Sequence, residues 1–200
     1  MKILYIQSSP NGESSSSRKV SDYLVNKLSN EGSNTVKILD LAKNPLPHVN
    51  GLTVSAFFSP ADSHSAEQKS EIKLSDEKVA ELMDSDAIVI STPMWNFGMP
   101  SVLKAWIDHV VRAGKTFSYS PEGLKGLVQG KKGYLVISSG SVFSEGAFAS
   151  YDHIVPSLKT ALGFIGITDV VVIRVEGTNT PEAAQNAILK AKAQVDQLIR

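Results

Sequence analysis

The sequence predicts an open α/β fold, a parallel sheet with helices on both faces. Two observations lead there. Five short apolar runs alternate with helical patterns along the 200 residues. The runs are apolar throughout rather than at every second residue, as strands covered on both faces are.

The first strand holds Ile3, Leu4 and Ile6 and ends at Gln7. A serine cluster that can cap a helix follows, and Val20, Leu24 and Leu28 recur at helical spacing. The second strand, Thr35 to Leu39, is short and β-branched. Val79, Leu82 and Met83 mark a helix leading to the third strand, Ala87 to Ile90. Pro100 stands at the first turn of a helix whose stripe is Leu103, Trp106, Ile107, Val110 and Val111. Tyr134 to Ile137 form the fourth strand, and Val155, Leu158, Ala161 and Leu162 the next helix. Val170 to Ile173 form the fifth strand. Thr180 and Pro181 then start a closing helix with Ala184, Ile188, Ala191, Val195 and Leu198 on one face. Crossovers of this kind join parallel strands and are right-handed. The rhythm suggests three layers and the strand order 2-1-3-4-5, although periodicity alone leaves other open α/β orders available.

Two stretches exceed ordinary connections. Leu41 to about Ser70 reads as a long loop carrying Leu52, Val54, Phe57 and Phe58, which suits a lid or a partner surface. Gly114 to Gly130, with Phe117, Tyr119, Pro121, Gly123 and Gly126, reads as a hairpin-like excursion. No linker or repeat interrupts the chain, so one domain over residues 1–200 is expected.

Composition narrows the function. Lys plus Arg and Asp plus Glu are 20 each, so no global field draws nucleic acid or an anionic membrane. The absence of cysteine excludes disulfides, thiolate metal clusters and cysteine nucleophiles. The histidines at 48, 64, 109 and 153 lack metal-site spacing, so no metal is expected. The N-terminal apolar run is too short for a signal peptide and no segment has the length of a membrane span, which makes a cytoplasmic protein the expectation.

Three loops carry the candidate chemistry. The first strand runs straight into S-S-P-N-G-E-S-S-S-S-R, residues 8–18. In an open parallel sheet ligands bind beyond the strand carboxyl ends, and a helix N-terminus there offers free amides to an anion. Ser9, Ser15, Ser16 and Ser17 add hydroxyls and Arg18 a local charge. This is neither GxGxxG nor GxxxxGK[ST], and it suits a terminal phosphomonoester better than a pyrophosphate. After the third strand comes S-T-P-M-W-N-F-G-M-P, in which Met94, Trp95 and Phe97 offer an apolar wall and Asn96 a polar contact, while Gly98 and the prolines Pro93 and Pro100 fix the path of the loop. The fourth strand ends in Ser138, Ser139, Gly140 and Ser141, a polar rim where glycine admits a flat ligand. An anion site, an apolar wall and a polar rim together suit a phosphorylated planar heterocycle, of which flavin mononucleotide (FMN) is the simplest.

These residues resemble the FMN-dependent NADH:azoreductase family of flavodoxin-like quinone reductases. The likeness spans the chain: the serines at 9, 15 and 17, PMWNF at 93–97, WIDHVVRAGKTFSY at 106–119, PEGL at 121–124, GKK at 130–132 and LGFIGITDV at 162–170. Some members carry tyrosine at the position of Trp95 and an arginine–glycine pair at Ser139 and Gly140. The second difference removes a possible charge near the ring.

The resemblance implies a three-layer flavodoxin-like fold with the order 2-1-3-4-5. It implies one FMN per subunit, its phosphate at Ser9 and Ser15 to Ser17, its ribityl chain and ring at Pro93 to Phe97, and its polar edge at Ser138 to Ser141. It implies a homodimer with FMN sites at the interface. Leu52, Phe57, Phe58, Phe117, Tyr119 and Phe164 would there complete the cavity for quinones and aromatic azo compounds. It further implies a ping-pong cycle in which NADH, or NADPH, delivers hydride to flavin N5 before the acceptor takes its place, so that no catalytic side chain is required. Hydrolysis is disfavoured: adjacent Asp108 and His109 point apart on a helix, and no nucleophile elbow is present. The competing readings are a flavodoxin-like electron carrier and a noncatalytic FMN-binding protein.

Overall fold

A computed structural model describes residues 1–30, 33–121 and 123–199, so Glu122 of the PEGL motif lies outside the described residues. Among the described residues seven strands form: β1 (Lys2–Gln7), β2 (Thr35–Asp40), β3 (Ala87–Pro93), β4 (Phe117–Ser120), β5 (Gly123–Gly126), β6 (Lys132–Ser139) and β7 (Asp169–Glu176). The helices are α1 (Ser16–Ser29), α2 (Gly51–Phe57), α3 (Ala66–Asp84), α4 (Ser101–Val110), α5 (Ile154–Ile165) and α6 (Pro181–Leu198). Five strands make a parallel sheet in the order β2-β1-β3-β6-β7, the arrangement expected, while β4 and β5 pair as a separate antiparallel hairpin.

The inner strands β1, β3 and β6, with the edge strand β7, send side chains into two cores. Leu4, Ile6, Ile88, Ile90, Leu135 and Ile137 meet helices α3, α4 and α5. Ile3, Tyr5, Val89, Tyr134, Val136, Ile173 and Val175 meet α1 and α6. Full burial of an isoleucine such as Ile6 or Ile90 contributes about 1.5–3 kcal/mol. This two-sided burial is the physical reason for the unbroken apolar runs. The edge strand β2 departs from it: Val36 and Ile38 are exposed, and only its carboxyl end packs against the sheet core.

The expectation of a long loop over residues 41–70 is corrected, because α2, a short 3-10 turn at Ala61–Ser63 and the start of α3 make about half of it helical. Asn50 and Ser65 each start a helix with a capping box, Asn50 with Thr53 and Ser65 with Gln68. The helix expected around Val79 to Met83 therefore begins at Ala66. Its buried face, Ile72, Ser75, Val79 and Leu82, contains a serine that interrupts the apolar pattern, and Met83 is exposed. The 114–130 stretch does contain the hairpin. It docks where Gly126 meets Gly166: a Cβ built at Gly126 would lie 2.3 Å from the Gly166 nitrogen, so only glycine fits. Among the described residues, no helix is long and apolar enough to cross a membrane.

Candidate functional site

The strand carboxyl ends lie level, with Gln7 beside Ser91, Pro93 beside Ser138 and Ser139 beside Glu176. Loops after β1, β3, β6 and β7 therefore border one cleft of about 440 Å³. This is where an open parallel sheet binds ligands. A larger hollow of about 740 Å³ opens between α2, α3 and residues 112–115, but it lies off these strand ends, where Phe57 and Ile72 stand among lysines, Arg112, Asp76 and Glu77. Convergence of loops, not size, selects the smaller cleft.

At its polar end the turn after β1 is held by its own hydrogen bonds. The Asn11 amide donates to Ser9 Oγ (3.4 Å), and the Ser14 hydroxyl to the Asn11 carbonyl (2.6 Å). Ser15 caps α1, accepting from the Arg18 amide at 3.3 Å. The Ser16 amide precedes any intrahelical acceptor and faces the cleft lining, where it can meet an anion. Ser9, Ser15 and Ser16 line the cleft, joined by Asn11 and Ser14. Ser17 is fully buried and shares a 3.1 Å hydrogen bond with the Ser15 hydroxyl, so it supports the lining from behind.

Arg18 does not supply the expected local charge. It is buried, and its guanidinium donates to Asp40 (3.0 Å) and to the Ser9 carbonyl (3.3 Å). The ion pair neutralises the arginine and fixes the turn. Anion binding here rests on amides, hydroxyls and the helix dipole.

The middle of the cleft is formed by Pro93, Met94 and Trp95, the far rim by Ser138, Ser139 and Gly140. The Met94 amide donates to the Ser138 carbonyl at 2.7 Å, locking these two loops together. A Cβ at Gly140 would meet no atom within 4 Å. The fold makes no demand for glycine at this position, which lines the cleft. Asn96 and Phe97 form the tip of the turn after β3, outside the lining, with φ of 46° and 69°. Ser141 also lies outside the lining and accepts the Ser139 hydroxyl on its carbonyl at 2.8 Å.

The remaining candidates are elsewhere in this chain. Phe57 stacks on Arg112, 3.6 Å from guanidinium carbon to ring centroid, and Leu52 is half-buried on the same short helix. Burial holds the Arg112 pKa below its ordinary value, while Asp76 opposes that shift. Phe58 is 82% exposed. Phe117 packs against Phe164 (4.6 Å between centroids) and Tyr119 (5.7 Å), and Tyr119 is 73% exposed. His109 is buried and donates to the Pro47 carbonyl at 2.9 Å, a structural role.

The sequence reading missed one wall. Thr178, Asn179, Thr180, Pro181 and Ala184 complete the cleft, so the N-terminus of α6 borders it as well as that of α1. Thr178 donates its amide and its hydroxyl to the Ser139 carbonyl, both at 3.1 Å. The signal was available: Thr180–Pro181 starts a helix directly after a strand carboxyl end.

Residues 1–199 match the family model described as flavodoxin-like fold. FMN-dependent NADH:quinone oxidoreductase 2 of Hahella chejuensis is 45% identical over 201 residues, covering 100% of both chains. FMN-dependent NADH:quinone oxidoreductase 1 of Rhizobium etli is 48% identical over 198 residues, 98% of this chain and 97% of the relative. The crystal structure of an azoreductase from Bacillus anthracis superposes with a TM-score of 0.90 at 29% identity, covering 100% of this chain and 98% of that one. The chain belongs to the flavodoxin-like family of FMN-dependent NADH:quinone oxidoreductases and azoreductases.

Proposed function

We propose that the chain is one FMN-binding domain over residues 1–200 and an FMN-dependent NADH:quinone oxidoreductase that also reduces aromatic azo compounds, with NADPH as an alternative donor. The observation that carries this reading is the cleft, with helix N-termini and hydroxyls at one end and a Met–Trp loop facing an open glycine rim at the other. That donor set fits a phosphate joined to a flat ring. Ser9, Ser15, Ser16 and the first amides of α1 would hold the phosphate, with Ser17 bracing Ser15. Pro93, Met94, Trp95, Asn96 and Phe97 would flank the ribityl chain and ring, and Ser138, Ser139, Gly140 and Ser141 its polar edge. FMN, when bound, supplies the two-electron exchange between donor and acceptor. The side chains bind and orient, and the apolar wall excludes water from the reacting face.

The protein acts as a homodimer with its FMN sites at the interface, in the cytoplasm, the compartment that holds its donor. A groove between α4 and α5 lined by Met99, Ile107, Val111, Ala161 and Phe164 supports the dimer, because it leaves apolar surface uncovered on the single chain. In a dimer Leu52, Phe57, Phe58, Phe117, Tyr119 and Phe164 would complete the partner's cavity. They do not line the cleft of their own chain.

Initial rates measured with NADH and a quinone varied together test the assignment. Parallel double-reciprocal lines are expected, since both substrates use one place in turn. Intersecting lines would contradict a shared place, and absence of quinone-dependent NADH consumption would leave an electron carrier or a noncatalytic binder.

A further inference from the structure

The segment between β6 and α5 leaves the sheet edge at Gly140, on the cleft rim, and carries an aromatic cluster. The Phe97 ring centroid lies 6.2 Å from that of Phe143 and 5.6 Å from that of Tyr151. Phe148 lies 6.0 Å from Phe143 and 6.3 Å from Tyr151. Phe97, Phe148 and Tyr151 are 48%, 50% and 49% exposed, so three faces stand open beside the turn that carries Trp95.

Two carboxylates hold this segment at its ends. Glu176 accepts from the Phe143 amide (2.9 Å) and the Ser144 hydroxyl (2.5 Å). Asp152 is buried and accepts from the Ile154 and Val155 amides at 3.1 and 3.0 Å. The Arg174 guanidinium reaches both, at 3.1 Å to Glu176 and 2.5 Å to Asp152. The His153 amide donates to the Phe97 carbonyl at 3.1 Å and ties the segment to the turn after β3. A planar fork bridging two carboxylates is a rigid fixture that a single ammonium reproduces only in part.

We propose that Arg174 is a positioning residue for the acceptor: through Asp152 and Glu176 it holds Phe143, Phe148 and Tyr151 beside Phe97 as a platform on which extended planar acceptors lie. The proposal rests on the reductase reading and adds to it a size preference. A one-ring quinone is accommodated within the cleft alone, whereas a three-ring acceptor extends onto the platform.

The test compares the FMN-loaded protein with Arg174→Met, Arg174→Lys and Phe148→Ala, using benzoquinone and a water-soluble anthraquinone sulfonate. In Arg174→Met and Phe148→Ala, the ratio of KM for the three-ring to the one-ring acceptor rises about tenfold, the worth of a lost ring contact. KM changes more than kcat, and Arg174→Lys recovers part of the loss. A second readout needs no turnover. In the apo-protein, hydrogen exchange at Phe143, Ile154 and Val155 is about tenfold faster in Arg174→Met, with β3 unchanged. The redox-inert anthracene-2-sulfonate binds about tenfold more weakly in both variants by equilibrium dialysis. An unchanged KM ratio, or unchanged exchange at those amides, overturns the proposal. A weaker dimer with an unchanged ratio also overturns it, because the rings would then be a subunit contact. If Arg174→Met folds poorly, Phe148→Ala decides, since that ring is half-exposed. Failure of the reductase reading looks different: the unaltered protein reduces neither quinone, while exchange and dialysis still decide for or against the clamp.

Discussion

Trp95 and Gly98 exchange both of their backbone hydrogen bonds, each at 2.9 Å, and the two residues between them, Asn96 and Phe97, take left-handed φ of 46° and 69°. Positive φ at both central positions is the pattern of a type I′ turn, which asparagine tolerates and phenylalanine does not favour. The left-handed backbone costs a non-glycine residue about 1–2 kcal/mol. A bulky residue held in that conformation at the mouth of the cleft points to a role for its ring. Phe97→Ala and Phe97→Gly both remove the ring, but glycine also relieves the strain. Thermal unfolding should show the glycine variant about 1 kcal/mol more stable than the alanine variant, with both impaired in acceptor turnover.

Ser15 and Ser16 separate capping from ligand binding. Ser15→Ala removes the α1 cap and should cost about 1 kcal/mol of stability. Ser16 lines the cleft without capping the helix, so Ser16→Ala should unfold within about 0.5 kcal/mol of the parent. Each should weaken FMN binding about tenfold, the worth of one hydrogen bond to a charged group, and leave riboflavin affinity nearly unchanged. Titration of apo-protein with both flavins measures this.

Gly140→Ala should leave the melting temperature unchanged, because its Cβ meets no protein atom within 4 Å. The same methyl would stand in the space assigned to the flat ring. FMN and riboflavin should therefore lose affinity equally in the same titration, in contrast to the serine variants.

Tyr5 governs behaviour in alkali. Its hydroxyl hydrogen-bonds with Ser21 and donates to Asp22, each at 2.7 Å. Burial raises its pKa well above the ordinary 10.0, and the Asp22 carboxylate adds to the rise while Ser21 opposes it. A raised folded pKa means that the unfolded chain releases this proton first, so stability falls as pH climbs past about 10. Tyr5→Phe should cost about 1 kcal/mol at neutral pH and flatten the loss of melting temperature above that point.

Much of this architecture is legible in the sequence because two-sided burial leaves an unmistakable trace. Runs such as Ala87–Ile90, set between helical patterns, read as inner parallel strands, and the serine turn after Gln7 falls at the edge where such sheets bind ligands. What escaped has identifiable causes. Helix α3 hid its first half because Ser75 occupies a buried position, donating to the His109 carbonyl at 2.6 Å. Arg18 read as a charge for the ligand, because nothing local reveals that Asp40, 22 residues away, captures it. The α6 wall is hard to see in the sequence because Thr180 and Pro181 explain themselves fully as a helix start. Neither the tip geometry of Asn96 and Phe97 nor the Arg174 clamp has a sequence signature: a bulky residue gives no hint of left-handed φ, and Asp152 stands 22 residues from Arg174.

In the proposed reaction the cleft holds a flavin that passes electrons from NADH to an acceptor. The most direct test is the absorbance of FMN-reconstituted protein under anaerobic conditions. The flavin colour is expected to bleach when NADH is added and to return when a quinone follows. Failure to retain FMN, or a spectrum unchanged by both NADH and NADPH, would contradict it.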